Sequence, residues 1–208
     1  MEIIDLNAEN VRLFLSQIAE IHKDSYPRDL LTANFNLRKL YEYYSYLISF
    51  SKISFVIVDE EKREVANAPV VAGFVVAGPE VSKGIQMFLS YNRLYVLLVL
   101  LRKPSLLIEK ILQILFELAK KVFEKDFSVT KFRLLSICVR KSYQSRGVGK
   151  TMLKHLEDIL ARNGCKEYGL SVKANNKSAI AFYEKNGFVL EKTYIGSRYY
   201  VKHLEHYS

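Results

Sequence analysis

The sequence predicts a mixed α/β protein built on a single sheet. The clearest reason is the alternation in its C-terminal part. Strand-like runs at 132–139, 166–172, 188–194 and 198–203 are separated by helical stretches near 147–163 and 177–185. A second reason is bulk: half of the 208 residues are hydrophobic, enough for one domain with a sizeable core. Third, no internal repeat, low-complexity tract or Pro/Gly/Ser linker divides the chain, so 1–208 reads as one domain.

The N-terminal elements follow in order. A short strand covers 2–6, and a helix over 8–24 repeats Val11, Leu13, Phe14, Leu15, Ile18 and Ile21 along one side. Tyr26-Pro27-Arg28 stops it. Residues 35–50 form a Tyr-rich amphipathic helix. Then the period changes: 53–58 and 70–77 are β-branched strands, and Asp59-Glu60-Glu61-Lys62-Arg63 reads as a solvated hairpin turn.

Residues 80–127 form a helical insertion. It is apolar from Gly84 to Leu101, breaks at Pro104 and continues as an amphipathic helix over 105–124. The face over 91–101 is too apolar for a solvated helix. Packing against the second helix of the pair, as a satellite core, is the expectation; a homodimer contact and a hydrophobic lid are the alternatives.

The strand 132–139 runs through the loop 140–146 into a helix whose Val148, Met152, Leu156 and Leu160 share one face and which Gly164 stops. A strand entering a glycine turn and then a helix suits a phosphate: glycines admit close backbone approach, and the helix N-terminus adds about half a positive charge. Three known turns compete for Gln144-Ser145-Arg146-Gly147-Val148-Gly149. A P-loop would need glycine where Gln144 stands, and a dinucleotide fingerprint would need glycine where Met152 stands. The pattern Q/R-x-x-G-x-G/A is met in full by Gln144, Gly147 and Gly149.

That segment resembles the GCN5-related N-acetyltransferase (GNAT) family. A second stretch, Asn175-x-x-Ser178-Ala179-x-x-Phe182-Tyr183-x-x-x-Gly187-Phe188, resembles the family's other cofactor motif, and together they cover about 130–204. The resemblance implies a mostly antiparallel mixed sheet with a central, splayed parallel strand pair, flanked by helices. It implies acetyl-CoA as cofactor, with the backbone of Leu135, Ile137 and Val139 on the pantetheine arm. It also implies that Gln144, Ser145, Arg146, Gly147, Val148, Gly149 and Lys150 sit at the phosphates, and Asn175 on the arm. Arg146 and Lys150 also fit plain solvent-facing bases, and Asn175 a helix N-cap. Tyr183 matches the tyrosine that protonates the departing thiolate, although a tyrosine packed on the cofactor fits the same place.

No carboxylate occupies 132–139, where many family members carry a general base. Asp24, Tyr26 and Asp29 stand where they could reach an acceptor, but each also suits a turn. The expected reaction is direct transfer of an acetyl group to a primary amine; the bulky insertion suggests a small molecule, amino sugars included, rather than a long peptide. A protein N-terminal or lysine acetyltransferase and a non-catalytic acyl-CoA-binding module are the alternatives.

Net charge is +9, which favours anionic partners, but the bases are scattered and no nucleic-acid recognition motif occurs. Cys138 and Cys165 lie in apolar runs that read as strands, and both are expected to be free, buried thiols. His22, His155, His203 and His206 show no metal-ligand spacing. The N-terminus lacks a basic signal-peptide region, and the apolar run 94–101 is shorter than the ~20 residues of a spanning helix. A soluble cytoplasmic protein without stable membrane insertion is therefore the expectation.

Overall fold

The computed structural model of the chain describes residues 1–63, 68–108, 130–194 and 196–204. In chain order the elements are β1 (Glu2–Asp5), α1 (Val11–Ser25), α2 (Leu37–Ser49), β2 (Ile53–Arg63), β3 (Pro69–Gly78), α3 (Val81–Tyr91) and α4 (Arg93–Leu101). Then follow β4 (Arg133–Val139), α5 (Val148–Arg162), β5 (Glu167–Lys173), α6 (Lys177–Lys185), β6 (Val189–Tyr194) and β7 (Ser197–His203). The described strands form one seven-stranded sheet in the order β1-β2-β3-β4-β5-β7-β6. Every neighbouring pair is antiparallel except β4–β5. The expected sheet class is therefore present.

Alternation along the strands builds two apolar layers. On one face Phe55, Ala72, Val75, Leu134, Leu170 and Tyr200 pack with Val148, Met152, Leu156 and Leu160 of α5. On the other, Val56, Val58, Phe74 and Val76 meet Phe14, Ile18, Leu40, Tyr44 and Phe88 from α1, α2 and α3. The predicted face of α5 is thus its buried face.

Two expectations need correction. The charged run from Asp59 to Arg63 is not a turn: β2 continues through it, with an irregular register between Asp59 opposite Val70 and Arg63 opposite Pro69. Asp59 tolerates the strand because the Tyr143 hydroxyl donates to its carboxylate at 2.7 Å, and Lys62 stands 3.5 Å from it. Cys165 lies in the connection before β5 rather than in a strand; both cysteines are free. Within the apolar insertion α3 and α4 meet at 83°. Buried Asn92 makes the corner, donating to the Phe88 carbonyl (3.1 Å) and the Glu42 carboxylate (2.8 Å) and accepting from Lys39.

Residues 104–108 resume a helix after the Pro104 break; the rest of the expected helix, 109–124, lies outside the described residues, as does His206. Among the described residues no single helix is long and apolar enough to cross a membrane.

Candidate functional site

The site grows from a gap in the sheet. β4 and β5 pair at Arg133 opposite Gly169, where the Gly169 N–H donates to the Phe132 carbonyl at 3.0 Å. Beyond that point no further pairing of the two is present among the described residues. The edge of β4 from Leu135 to Val139 that faces β5 thus presents backbone groups with no strand partner. A break in register on the other side shapes the same strand. Val76 faces Ser136 and Ala77 faces Leu134, so Leu135 is an extra residue, a bulge. As a result Leu135 and Ser136 both turn toward α1 and α2, while Ile137 and Val139 return to the α5 side.

At the C-terminal end of β4 the chain is pinned before it turns. The Arg140 N–H donates to the Ala72 carbonyl and its Nε to the Val71 carbonyl, both at 2.8 Å. Gln144 Nε2 donates to the Val139 carbonyl at 3.1 Å, tying the turn back to the strand. Gly147 then takes φ +82°, a left-handed value where a side chain costs roughly 1–2 kcal/mol. Ser145 also has positive φ, +62°. The first helical bond of α5 runs from the Thr151 N–H to the Gly147 carbonyl (3.0 Å), so the amides of Val148, Gly149 and Lys150 have no carbonyl one turn earlier. Space in front of Gly147 is open, and a Cβ there would meet nothing within 4 Å. A Cβ on Gly149 would instead lie 3.2 Å from Cζ of Phe182, so this glycine lets α6 approach the start of α5.

Side chains around the turn divide by environment. Val148 is buried in the core and offers only its backbone. Arg146 lies over the Tyr143 ring, 5.5 Å from its centroid, and Lys150 is exposed. The second motif faces the turn through Phe182. Tyr183 packs edge-on between Phe182 (5.5 Å) and Phe188 (5.4 Å). Burial and the neighbouring Cys138 push its phenol well above the ordinary tyrosine range, so it keeps its proton at neutral pH.

Asn175 does not cap α6. That place belongs to Asn176, whose side chain accepts from the Ala179 N–H at 3.2 Å. Asn175 Nδ2 donates instead to Asp29 of the α1–α2 connection at 2.8 Å. This contact joins the N-terminal half to the second motif.

Beneath that connection Tyr26, a candidate from the sequence, joins Ser136, Tyr44 and His22, whose grouping sequence reasoning missed. The Tyr26 hydroxyl donates to Ser136 Oγ at 3.1 Å, and Ser136 Oγ shares a hydrogen bond with the Tyr44 hydroxyl at 3.3 Å. Tyr44 in turn shares one with Nδ1 of His22 at 2.7 Å, while the His22 ring stacks on Tyr26 at 3.9 Å. Burial first, and Lys23 second, lower the His22 pKa to about 3, so the ring is neutral. Burial, Cys138 and, more weakly, Tyr183 push Tyr26 upward. Tyr26 and Cys138 lie on the α1–α2 side of β4, and Tyr183 packs on the α5 side. The sequence signal was a serine within an apolar strand opposite a Tyr-rich helix. Asp24 lies elsewhere, in a cleft of about 400 Å³ with Glu20, Lys23, Arg140 and Lys141. Among the described residues no group of three His, Cys, Asp or Glu side chains could hold a metal.

Residues 118–188 match the model of the acetyltransferase (GNAT) family. That stretch of the chain is similar to the GNAT acetyltransferases. Two curated relatives agree over short stretches. The ribosomal protein bS18-alanine N-acetyltransferase of Escherichia coli is 44% identical over 55 residues, 26% of this chain and 37% of the relative. The spermidine N(1)-acetyltransferase of Thermoplasma acidophilum is 36% identical over 70 residues, 34% of this chain and 44% of the relative. The matches thus span less than half the length of either relative. The GNAT fold itself extends further. The PaiA N-acetyltransferase of Thermoplasma acidophilum, solved in complex with coenzyme A, superposes with a TM-score of 0.57 at 17% identity, covering 97% of this chain and 98% of that one.

Proposed function

We propose that the protein is an acetyl-CoA-dependent N-acetyltransferase acting on a primary amine of a small molecule, amino sugars included, by direct transfer in a ternary complex. The whole of 1–208 then serves as one acetyltransferase domain, with 80–127 an elaboration of it. The observation that carries the reading is the opening between β4 and β5, with the glycine turn and the unpaired amides of α5 at its end. The names of the relatives, one acting on a protein alanine and one on spermidine, support amine acetylation as the reaction class.

The residues fit the cofactor. Open space in front of Gly147 and the unpaired amides at the start of α5 suit a pyrophosphate. In this reading the backbone from Gln144 to Lys150 holds it, with Gln144 fixing the turn, Arg146 and Lys150 adding positive charge, and Val148 contributing its N–H alone. The free edge at Leu135, Ile137 and Val139 takes the amides of the pantetheine arm as an added strand would. Asn175 keeps its carboxamide oxygen for the same arm while its NH2 group engages Asp29. Bound acetyl-CoA supplies an acetyl thioester, and the Tyr183 hydroxyl holds the proton that the leaving sulfur requires.

The acceptor end falls to the α1–α2 connection. Asp29 offers a negative charge to a cationic amine beside Asn175. Tyr26, Ser136 and Tyr44 line the approach with hydroxyls where no carboxylate is available, and they orient the amine by hydrogen bonding. Changing Asp29 to Asn is expected to raise KM for the amine about tenfold while kcat changes less than about threefold, as steady-state kinetics would record. Changing Gly147 to Val is expected to weaken CoA binding by at least about tenfold, read by calorimetry, because the turn must leave its left-handed geometry.

Mass spectrometry of products from a panel of polyamines, amino sugars and peptides tests the reading. Acetylated small amines are the expected result. Acetylation of peptide N-termini alone would replace it with the second reading, which the 44% identity to a protein-alanine N-acetyltransferase favours.

A further inference from the structure

Among the described residues, the outer side of α4 is an apolar surface without a partner. On α4, Tyr95, Val96 and Val99 pack inward toward α2 and Phe35, and the Asn36 N–H donates to the Tyr95 hydroxyl at 2.9 Å. The other side carries Leu94 (71% exposed), Leu97 (47%), Leu98 (46%) and Leu101 (56%), with Tyr91 (70%) at the corner. A helix apolar on all sides needs cover on all sides. The expected satellite core thus accounts for one side of α4 and leaves the leucine side exposed.

The charges around this face select among covers. From Val81 to Ile108 there is no aspartate or glutamate, and Lys83, Arg93, Arg102 and Lys103 are the charged residues. Arg93 opens α4, and Arg102 and Lys103 follow its end. A second copy seated on the same face would bring these bases together. In an antiparallel helix pair Arg93 would meet Arg102 and Lys103, and in a parallel pair each base would meet its twin, with no acid on the segment to offset them. An anionic bilayer surface instead meets both requirements, taking leucines into the acyl boundary and bases among headgroup phosphates. The 83° bend between α3 and α4 suits a helix lying in the interface rather than one crossing it.

We propose that the exposed leucine face of α4, flanked by Arg93, Arg102 and Lys103, docks the protein peripherally on an anionic lipid bilayer. This surface is separate from the glycine turn and Tyr183, so the inference stands independently of the catalytic reading.

The absence of tryptophan makes the test clean. A single Leu94→Trp substitution installs the sole indole at an exposed position. With vesicles containing phosphatidylglycerol its emission is expected to shift to the blue, and the protein to float with the lipid. Binding to pure phosphatidylcholine vesicles should be weaker by at least about tenfold, and Arg102→Gln and Lys103→Gln should each weaken the anionic-vesicle binding by roughly fivefold. Leu97→Asp with Leu98→Asp should abolish flotation; circular dichroism checks that this variant is folded, and the charge-neutralised variants supply an independent reading. An indole that stays solvent-exposed on anionic vesicles would overturn the proposal. So would light scattering that finds a dimer dissociated by Leu98→Asp and no association with lipid.

Discussion

Replacing Tyr183 by Phe is expected to lower kcat by about a hundredfold while CoA affinity changes less than about twofold. The prediction follows from what the substitution keeps. The ring stays packed between Phe182 and Phe188, at centroid distances of 5.5 and 5.4 Å, so α6 and the neighbouring Gly149 contact are undisturbed. What disappears is the hydroxyl. Because burial and Cys138 raise the Tyr183 pKa, the phenol remains protonated well above neutrality, and the wild-type enzyme should lose no activity to Tyr183 ionisation up to about pH 9. The ratio of wild-type to variant kcat should accordingly stay constant from about pH 7 to about pH 9. Unchanged turnover in the Phe variant would remove Tyr183 from the proton path.

Acid should unfold the protein through His22. In the native state its pKa is lowered from 6.5 to about 3, chiefly by burial, with only 2% of the residue exposed. Between those values the unfolded chain binds a proton that the native chain refuses, so stability rises with pH across the window and falls as pH drops through it. From about pH 7 to about pH 4 the loss attributable to this one ring is on the order of 3 kcal/mol, a large share of a typical domain's stability. Urea denaturation across that range measures it. The variant His22→Gln, which keeps a polar partner for Tyr44, should flatten the pH dependence by that amount. An equally steep profile in the variant would place the acid sensitivity elsewhere. The same burial leaves Nε2 of His22 without a hydrogen-bond partner, a cost already carried by the native state.

The glycine turn and the helix after it were legible because their signals are local. Gln144, Gly147 and Gly149 specify a turn through backbone geometry, and the α5 face of Val148, Met152, Leu156 and Leu160 specifies its own burial. The acceptor half was not, because its contacts are long-range. Ser136 meets Tyr26 across 110 positions of sequence, and Asn175 meets Asp29 across 146. No spacing rule within a motif encodes either pair. The bulge that turns Ser136 toward Tyr26 depends on register with β3, again invisible in the strand's own residues. Local reading also erred where tertiary partners overrode propensity. Asp59 sits in a strand because Tyr143 receives it.

The most direct measurement of the central claim is calorimetric titration of the protein with CoA, followed by the same titration of Gly147→Val. The account predicts one site per chain with micromolar or tighter affinity, competed by acetyl-CoA, and weakened by at least about tenfold in the variant. Absence of binding in the wild-type chain, or equal affinity in a folded Gly147→Val protein, would contradict the assignment of the glycine turn as the cofactor's phosphate site.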